Sequence, residues 1–168
     1  QSLIATRSFF GKRWLKNMGD NFIFTEKPVK LDFFGENNIE NNEPSFFAGA
    51  GPSLDEVLDN YSNNINGMFN MAAASALPAV LSRNIRLDLC ISTDGGFWAA
   101  NHLKYLKDEK FKETALAFPL EAKIPYHVLK NNNCLFLSYG SSLETLFFTS
   151  LGIAPIPAKR NGTVSARQ

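Results

Sequence analysis

The stretch FFAGAGPSLDE, Phe46 to Glu56, decides how the rest of the chain is read. An apolar run enters two glycines, a proline and a serine, and a helix-forming segment follows. Proline suits the first turn of a helix, where its missing N–H costs little. Ser53 stands at the cap position, where its hydroxyl can take a backbone N–H. One reading is a tight strand-to-helix turn and nothing more. The other is a backbone brought close to an anion. Gly49 and Gly51 can adopt positive φ and admit a ligand to the main chain. The first-turn N–H groups and the helix dipole then favour negative charge by about 0.3–1 kcal/mol. The full G-x-G-x-x-G pattern is absent, because Leu54 occupies the place of the third glycine.

The alternation continues outward. GMFNMA is a second apolar run, and SALPAVLSRN reads as a helix that Pro78 confines to a first turn or kinks. LDLCIST is apolar at its centre and suits a strand covered on both faces. GFWAANHLKYLKDEKF reads as helix, TALAFP and CLFLSY as strands, SSLETLFFTSL as helix, and IAPIP as a further short strand. Strands alternating with helices indicate a parallel sheet with right-handed crossovers. Ahead of it, Phe10, Trp14, Met18 and Phe22 fall four apart and mark one apolar helix face. Residues 1–44 are read as this helix and an irregular connection with an extended piece at Val29–Phe34. Residues 45–168 are read as the α/β domain proper, truncated at its end, because NGTVSARQ closes the chain on a helix start.

Composition narrows the function classes. The chain has 168 residues, 45% of them hydrophobic and 20% charged, which suits one globular domain with a real core. Seventeen basic and sixteen acidic residues leave a formal charge of +1. Such a balance supplies no global field for nucleic acid, so an anionic ligand must be caught locally. Lys12, Arg13 and Lys16 form a local basic cluster that reads as a solvated helix face. Cys90 and Cys134 each sit in an apolar run and make no disulfide framework, in keeping with a reducing, cytoplasmic setting. No run reaches the roughly 18 apolar residues of a membrane span.

In open α/β sheets, ligands lie beyond the carboxyl ends of the strands, so the loops there hold the candidate site. After the first strand come Gly49, Ala50, Gly51, Pro52 and Ser53. Asn70 is read at the end of the second, either touching a nucleotide or capping a helix. Ser92, Thr93, Asp94 and Gly95 follow the third. Asp94 suits a hard cation carrying phosphates, or caps the N–H groups of the next helix. Tyr139, Ser141 and Ser142, then Gly162 and Thr163, extend the series of glycine–hydroxyl loops. His102 and His127 gain no partner from the sequence. Zinc, P-loop and α/β-hydrolase motifs do not occur.

FFAGAGPSLDEVL, AAASALPAVLSRNIRLDLCISTDGG and RNGTVS, taken in order, resemble the MptE-like family. Gly49, Gly51, Pro52, Ser53 and Leu54 match its GxGPSL element. Ile85, Asp88, Ser92 and Asp94 match the two elements that follow, with Leu87 where the family usually has proline. KRWLKNMGDN resembles the helix that precedes this domain in the bacterial Maf branch (motility accessory factor). The resemblance implies a Rossmann-like, sialyltransferase-like α/β domain. Its sheet would be mostly parallel, with helices on both faces and an N-terminal helix in front. It also implies a flagellin glycosyltransferase using a CMP-activated nonulosonic acid, without a covalently bound cofactor and with Mg²⁺ as an option at Asp94. The pterin branch would instead be a 6-hydroxymethylpterin diphosphokinase using ATP and Mg²⁺. A non-catalytic nucleotide-binding module is the third expectation.

Overall fold

The computed structural model describes residues 2–30, 32–33 and 44–158, with side chains except those of 2–10 and 110. The first helix, α1 (Ser2–Phe24), precedes five strand–helix steps and a sixth strand: β1 (Ser45–Ala48), α2 (Leu54–Ile65), β2 (Phe69–Ala73), α3 (Leu77–Ser82), β3 (Leu89–Ile91) and α4 (Phe97–His102). Then come β4 (Ala115–Pro119), α5 (Tyr126–Asn131), β5 (Cys134–Ser138), α6 (Ser142–Leu151) and β6 (Ile156–Pro157). Pro78 falls in the first turn of α3, where it removes no helical hydrogen bond. The helix α5 has no counterpart in the sequence reading. It is a short element opened by Pro125.

All six strands are parallel, in the sequential order β1-β2-β3-β4-β5-β6. This is a Rossmann-like α/β sheet. Repeated right-handed crossovers in one direction carry every connecting helix to the same side. The packing agrees. Leu58, Leu77, Val80, Leu103, Val128 and Phe148 of the helical layer share one core with Ala72, Cys90, Leu116, Phe118 and Phe136 of the sheet. Burying each such leucine contributes about 1.5–3 kcal/mol. On the second face Ala115, Ala117 and Leu135 are buried, with Leu89, Ile91, Leu137, Ile156 and Val29 packed against them. Helices were expected on both faces; among the described residues, helical side chains gather on one.

The strand buried throughout is β4, whose five residues are all inaccessible, whereas β3 alternates. The expected extended piece at Val29–Phe34 is reduced to a bridge between Pro28 and Cys134, with Val29 N–H donating to Cys134 O at 2.9 Å; Phe34 lies outside the described residues. The helix α1 packs on the same core. Met18 is buried in it, and the Phe22 ring lies 4.8 Å from that of Phe147 in α6.

Candidate functional site

Because the strands run in one direction and in sequence order, their carboxyl ends form one row along a single edge of the sheet. The described strand order never reverses, so the crevice that usually marks a ligand in such folds does not arise among these strands. The loops alone define the candidate site.

The β1–α2 loop, Gly49 to Ser53, is exposed throughout. Neither glycine has positive φ; the positive-φ glycines among the described residues are Gly140 and Gly152. The conformational freedom expected at Gly49 and Gly51 is therefore not what the loop uses. A Cβ on Gly51 would meet nothing within 4 Å, and one on Gly49 would only touch Phe47 at 4.0 Å. Both glycines thus leave open space over the backbone. Gly51 N–H turns back to Gly49 O at 2.8 Å, and Leu54 N–H to Gly51 O at 3.1 Å. Ser53 occupies the cap position without a side-chain cap bond, because its backbone is already helical. Its hydroxyl is left to other partners. Asp55 and Glu56 place negative charge in the same turn, and Arg83 offsets part of it by pairing with Asp55 at 3.0 Å and Asp59 at 2.6 Å. The hydrogen bond to Arg83 holds the Asp59 carboxyl below its usual range.

The loop after β3 is built differently. Asp94 is exposed, and its Oδ1 accepts the Gly96 N–H at 2.9 Å in a turn just ahead of α4, whose own cap residue, Gly96, makes no side-chain cap bond. Its backbone carbonyl accepts Lys123 N–H at 3.0 Å. Gly95 has no room for a side chain: a Cβ would lie 2.9 Å from Glu121 O and 3.2 Å from two atoms of the Trp14 ring. Gly95 is thus filled from within the protein. Asn17 Nδ2 donates to Glu121 O at 2.8 Å and to Gly95 O at 3.2 Å. One turn further, Asn21 Nδ2 donates to Leu120 O and Ala122 O, both at 2.8 Å. Two asparagines at i and i+4 share one helix face, and here that face clamps the loops after β3 and β4. Asn21 and Glu121 were not singled out in the sequence; the Asn17–Asn21 spacing was the available signal. Lys16, from the basic cluster, pairs with Asp20 at 2.8 Å and holds that carboxyl below its usual range, with Lys123 assisting.

Ser92 is 2% exposed, and its Oγ has no hydrogen-bond partner among the described residues, while Thr93 beside it is exposed. Asn70 does not reach this edge. It is the second residue of β2, pairs in register with Phe46 and is 1% exposed. Its Nδ2 donates to Ile65 O at 2.9 Å, and its backbone N–H to Asp88 Oδ2 at 2.8 Å. Asn70 and Asp88 therefore tie α2, β2 and β3 together below the loops. The strand runs longer than expected, so the small residues after Asn70, rather than Asn70, form its end.

In the β5–α6 loop, Ser141 and Glu144 make a reciprocal capping box. The Glu144 carboxylate is fully buried and accepts the N–H groups of Tyr139 at 3.2 Å and Ser141 at 2.9 Å. Ser141 thus already has a structural partner, whereas Ser142 is exposed as the first residue of α6. Gly162 and Thr163 lie outside the described residues.

Among the described residues no group of three or more His, Cys, Asp or Glu side chains could hold a metal ion. Asp94 would supply one carboxylate, leaving a cation to take its other ligands from phosphates and water. His127 lies in α5 with a buried, unpartnered Nε2, and burial together with Lys107 lowers its pKa. Burial pushes the Cys90 thiol up strongly and Cys134 up to about 12, so neither acts as a nucleophile. A cavity of about 830 Å³ opens at the opposite, amino edge. Its cations are engaged locally, Arg86 with Asp88 at 2.9 Å and Lys112 with Glu109. It lies away from every loop discussed above. No helix among the described residues is long and apolar enough to cross a membrane.

A family model described as 6-hydroxymethylpterin diphosphokinase MptE-like matches residues 12–153, from the clamping half of α1 to the end of α6. The chain belongs to the MptE-like family. An uncharacterized protein of Treponema pallidum (strain Nichols) is 38% identical over 164 residues, covering 98% of this chain and 34% of the relative. This MptE-like chain thus spans about a third of that relative's length. No solved structure matches it. The match begins at Lys12, so the Trp14–Asn21 segment falls within the family region together with the loops it holds.

Proposed function

We propose that this MptE-like chain is the nucleotide-binding core of a cytoplasmic transferase of the Maf type. Its donor is a CMP-activated nonulosonic acid, and its acceptor is a Ser or Thr hydroxyl of flagellin. The observation that carries the nucleotide is the Gly49–Ser53 loop, exposed, open above both glycines and with an uncommitted Ser53 hydroxyl. The backbone amides of Ala50 and Ser53, which no internal bond of the loop uses, receive the phosphate, and Arg83 moderates the acidic first turn beneath. Asp94, with Thr93 and Ser92 beside it, orients the sugar or shares a Mg²⁺ ion with phosphate oxygens. In the transfer the bond from the anomeric carbon to the phosphate oxygen breaks, CMP leaves with the electron pair, and the acceptor oxygen takes the carbon while its proton passes to the departing phosphate or to water. Support for this branch comes from the α1 segment that locks onto the loops and from the greater length of the Treponema relative.

A second reading, an ATP- and Mg²⁺-dependent 6-hydroxymethylpterin diphosphokinase, is favoured by the family description and by the exposed rings of Phe97 and Trp98. Calorimetry with CMP, CDP, ATP and GTP, each with and without Mg²⁺, separates the two. Selective cytidine nucleotide binding supports sugar transfer. Selective Mg²⁺-dependent ATP binding replaces it with the diphosphokinase, and no binding by folded full-length protein removes both. Gly51→Val, which fits the open space sterically, is expected to abolish nucleotide binding without altering the melting temperature.

A further inference from the structure

The aromatic pair Phe97–Trp98 stands directly after the Asp94-Gly95-Gly96 turn, at the start of α4. Their side chains are 74% and 70% exposed, and their ring centroids lie 5.6 Å apart at 74°. Leaving two large rings in water forgoes the burial that normally recruits such residues. The backbone that presents them is fixed from several sides. Asp94 Oδ1 holds Gly96 N–H, Trp14 and Glu121 close over Gly95, and Ala99 anchors α4 in the interior. The helix also packs against the turn Ala74–Ala76 that ends β2. The pair is therefore preorganised at the loop edge beyond β3, whose end stands two strand spacings, or about 10 Å, from the end of β1.

We propose that Phe97 and Trp98 form a stacking platform for the flat heteroaromatic ring of the ligand whose phosphate lies on the Gly49–Ser53 loop. The inference rests on the nucleotide reading above. Area argues for a ring rather than a protein: two aromatic side chains offer about 300–500 Å², while a standard protein interface needs about 800 Å² per partner. The patch is not extended along α4, where Asn101 and His102 follow and the exposed Lys104 stands just beyond. A pyrimidine base and a pterin share this chemistry, both being planar and polarised.

The test is calorimetry on the full-length protein and its Phe97→Ala/Trp98→Ala variant, using CMP, ATP with Mg²⁺, 6-hydroxymethylpterin and inorganic pyrophosphate. The variant is expected to weaken the ring-bearing probe by about 5- to 150-fold and to leave pyrophosphate unchanged. Trp98→Phe, which keeps a ring, is expected to stay near wild type. Loss confined to CMP or to ATP assigns the platform to the base of that nucleotide, and loss confined to the pterin, which carries no phosphate, overturns the proposal. Wild-type affinity of the double variant for every ring-bearing probe overturns the platform; if Gly51→Val still abolishes nucleotide binding, the nucleotide reading survives alone. A wild-type protein that binds none of the ring-bearing probes overturns both.

Discussion

Replacing Gly95 with alanine is the most direct probe of how α1 is joined to the sheet edge. The added Cβ would sit 2.9 Å from Glu121 O and 3.2 Å from Cδ1 and Nε1 of Trp14. The oxygen cannot swing aside as a side chain could, because it is backbone and already accepts Asn17 Nδ2 at 2.8 Å. Relief requires moving the Glu121 loop, Trp14 or both, and the first of these stretches the Asn17 bonds. Overpacking of this kind costs about 1–3 kcal/mol. At about 2–4 °C per kcal/mol for a chain of this size, the melting temperature should fall by about 2–12 °C. Thermal unfolding followed by tryptophan fluorescence reads the loss, since Trp14 is one of the displaced groups. Trp14→Ala removes only one of the two obstacles. In that background Gly95→Ala should therefore cost less than in the wild type, but not nothing, since Glu121 O remains. A Gly95→Ala protein melting within about 1 °C of wild type would refute the interlock between α1 and the loops after β3 and β4.

Three further outcomes test the surroundings of the site. Asn21→Ala strands two buried carbonyls, Leu120 O and Ala122 O, and should cost about 2–4 kcal/mol in urea unfolding. Glu144→Gln turns an amide group toward the N–H of Tyr139 or Ser141 and should destabilise by about 1–3 kcal/mol, more than the roughly 1 kcal/mol expected of Ser141→Ala. His127 has a folded pKa below its ordinary 6.5, through burial first and Lys107 second. The unfolded chain therefore takes up its proton first: this stability is present above about pH 6.5 and is lost as pH falls through the folded pKa. His127→Asn should flatten the decline in melting temperature between about pH 7 and 5.

Much of the fold could be read along the chain. Apolar runs alternating with helical periods predict a parallel α/β sheet, and the segments around Phe47, Cys90, Leu116 and Leu135 are all strands. Ser141-x-x-Glu144 announces its capping box. Asn70 shows where local reading stops. Its apolar run was too short to say where the strand would end, and three more residues of strand, Met71 to Ala73, move it from the loop edge to the floor of the helical layer. Ser53 shows the same limit, since a helical backbone at the cap position leaves its hydroxyl unused.

Sequence by itself determined the element types and the glycine loop after β1, because each depends on residues within a few positions of one another. Tertiary structure alone decided that strand order is sequential, that the described helices share one face and that Gly95 is occupied by Trp14. It also set the partners of Asn17, which lie 78 and 104 residues away at Gly95 and Glu121. The physical reason is that periodicity and capping are local properties of the backbone. Which carbonyl meets which amide across the sheet edge is set only when non-neighbouring strands and α1 settle into one packed order.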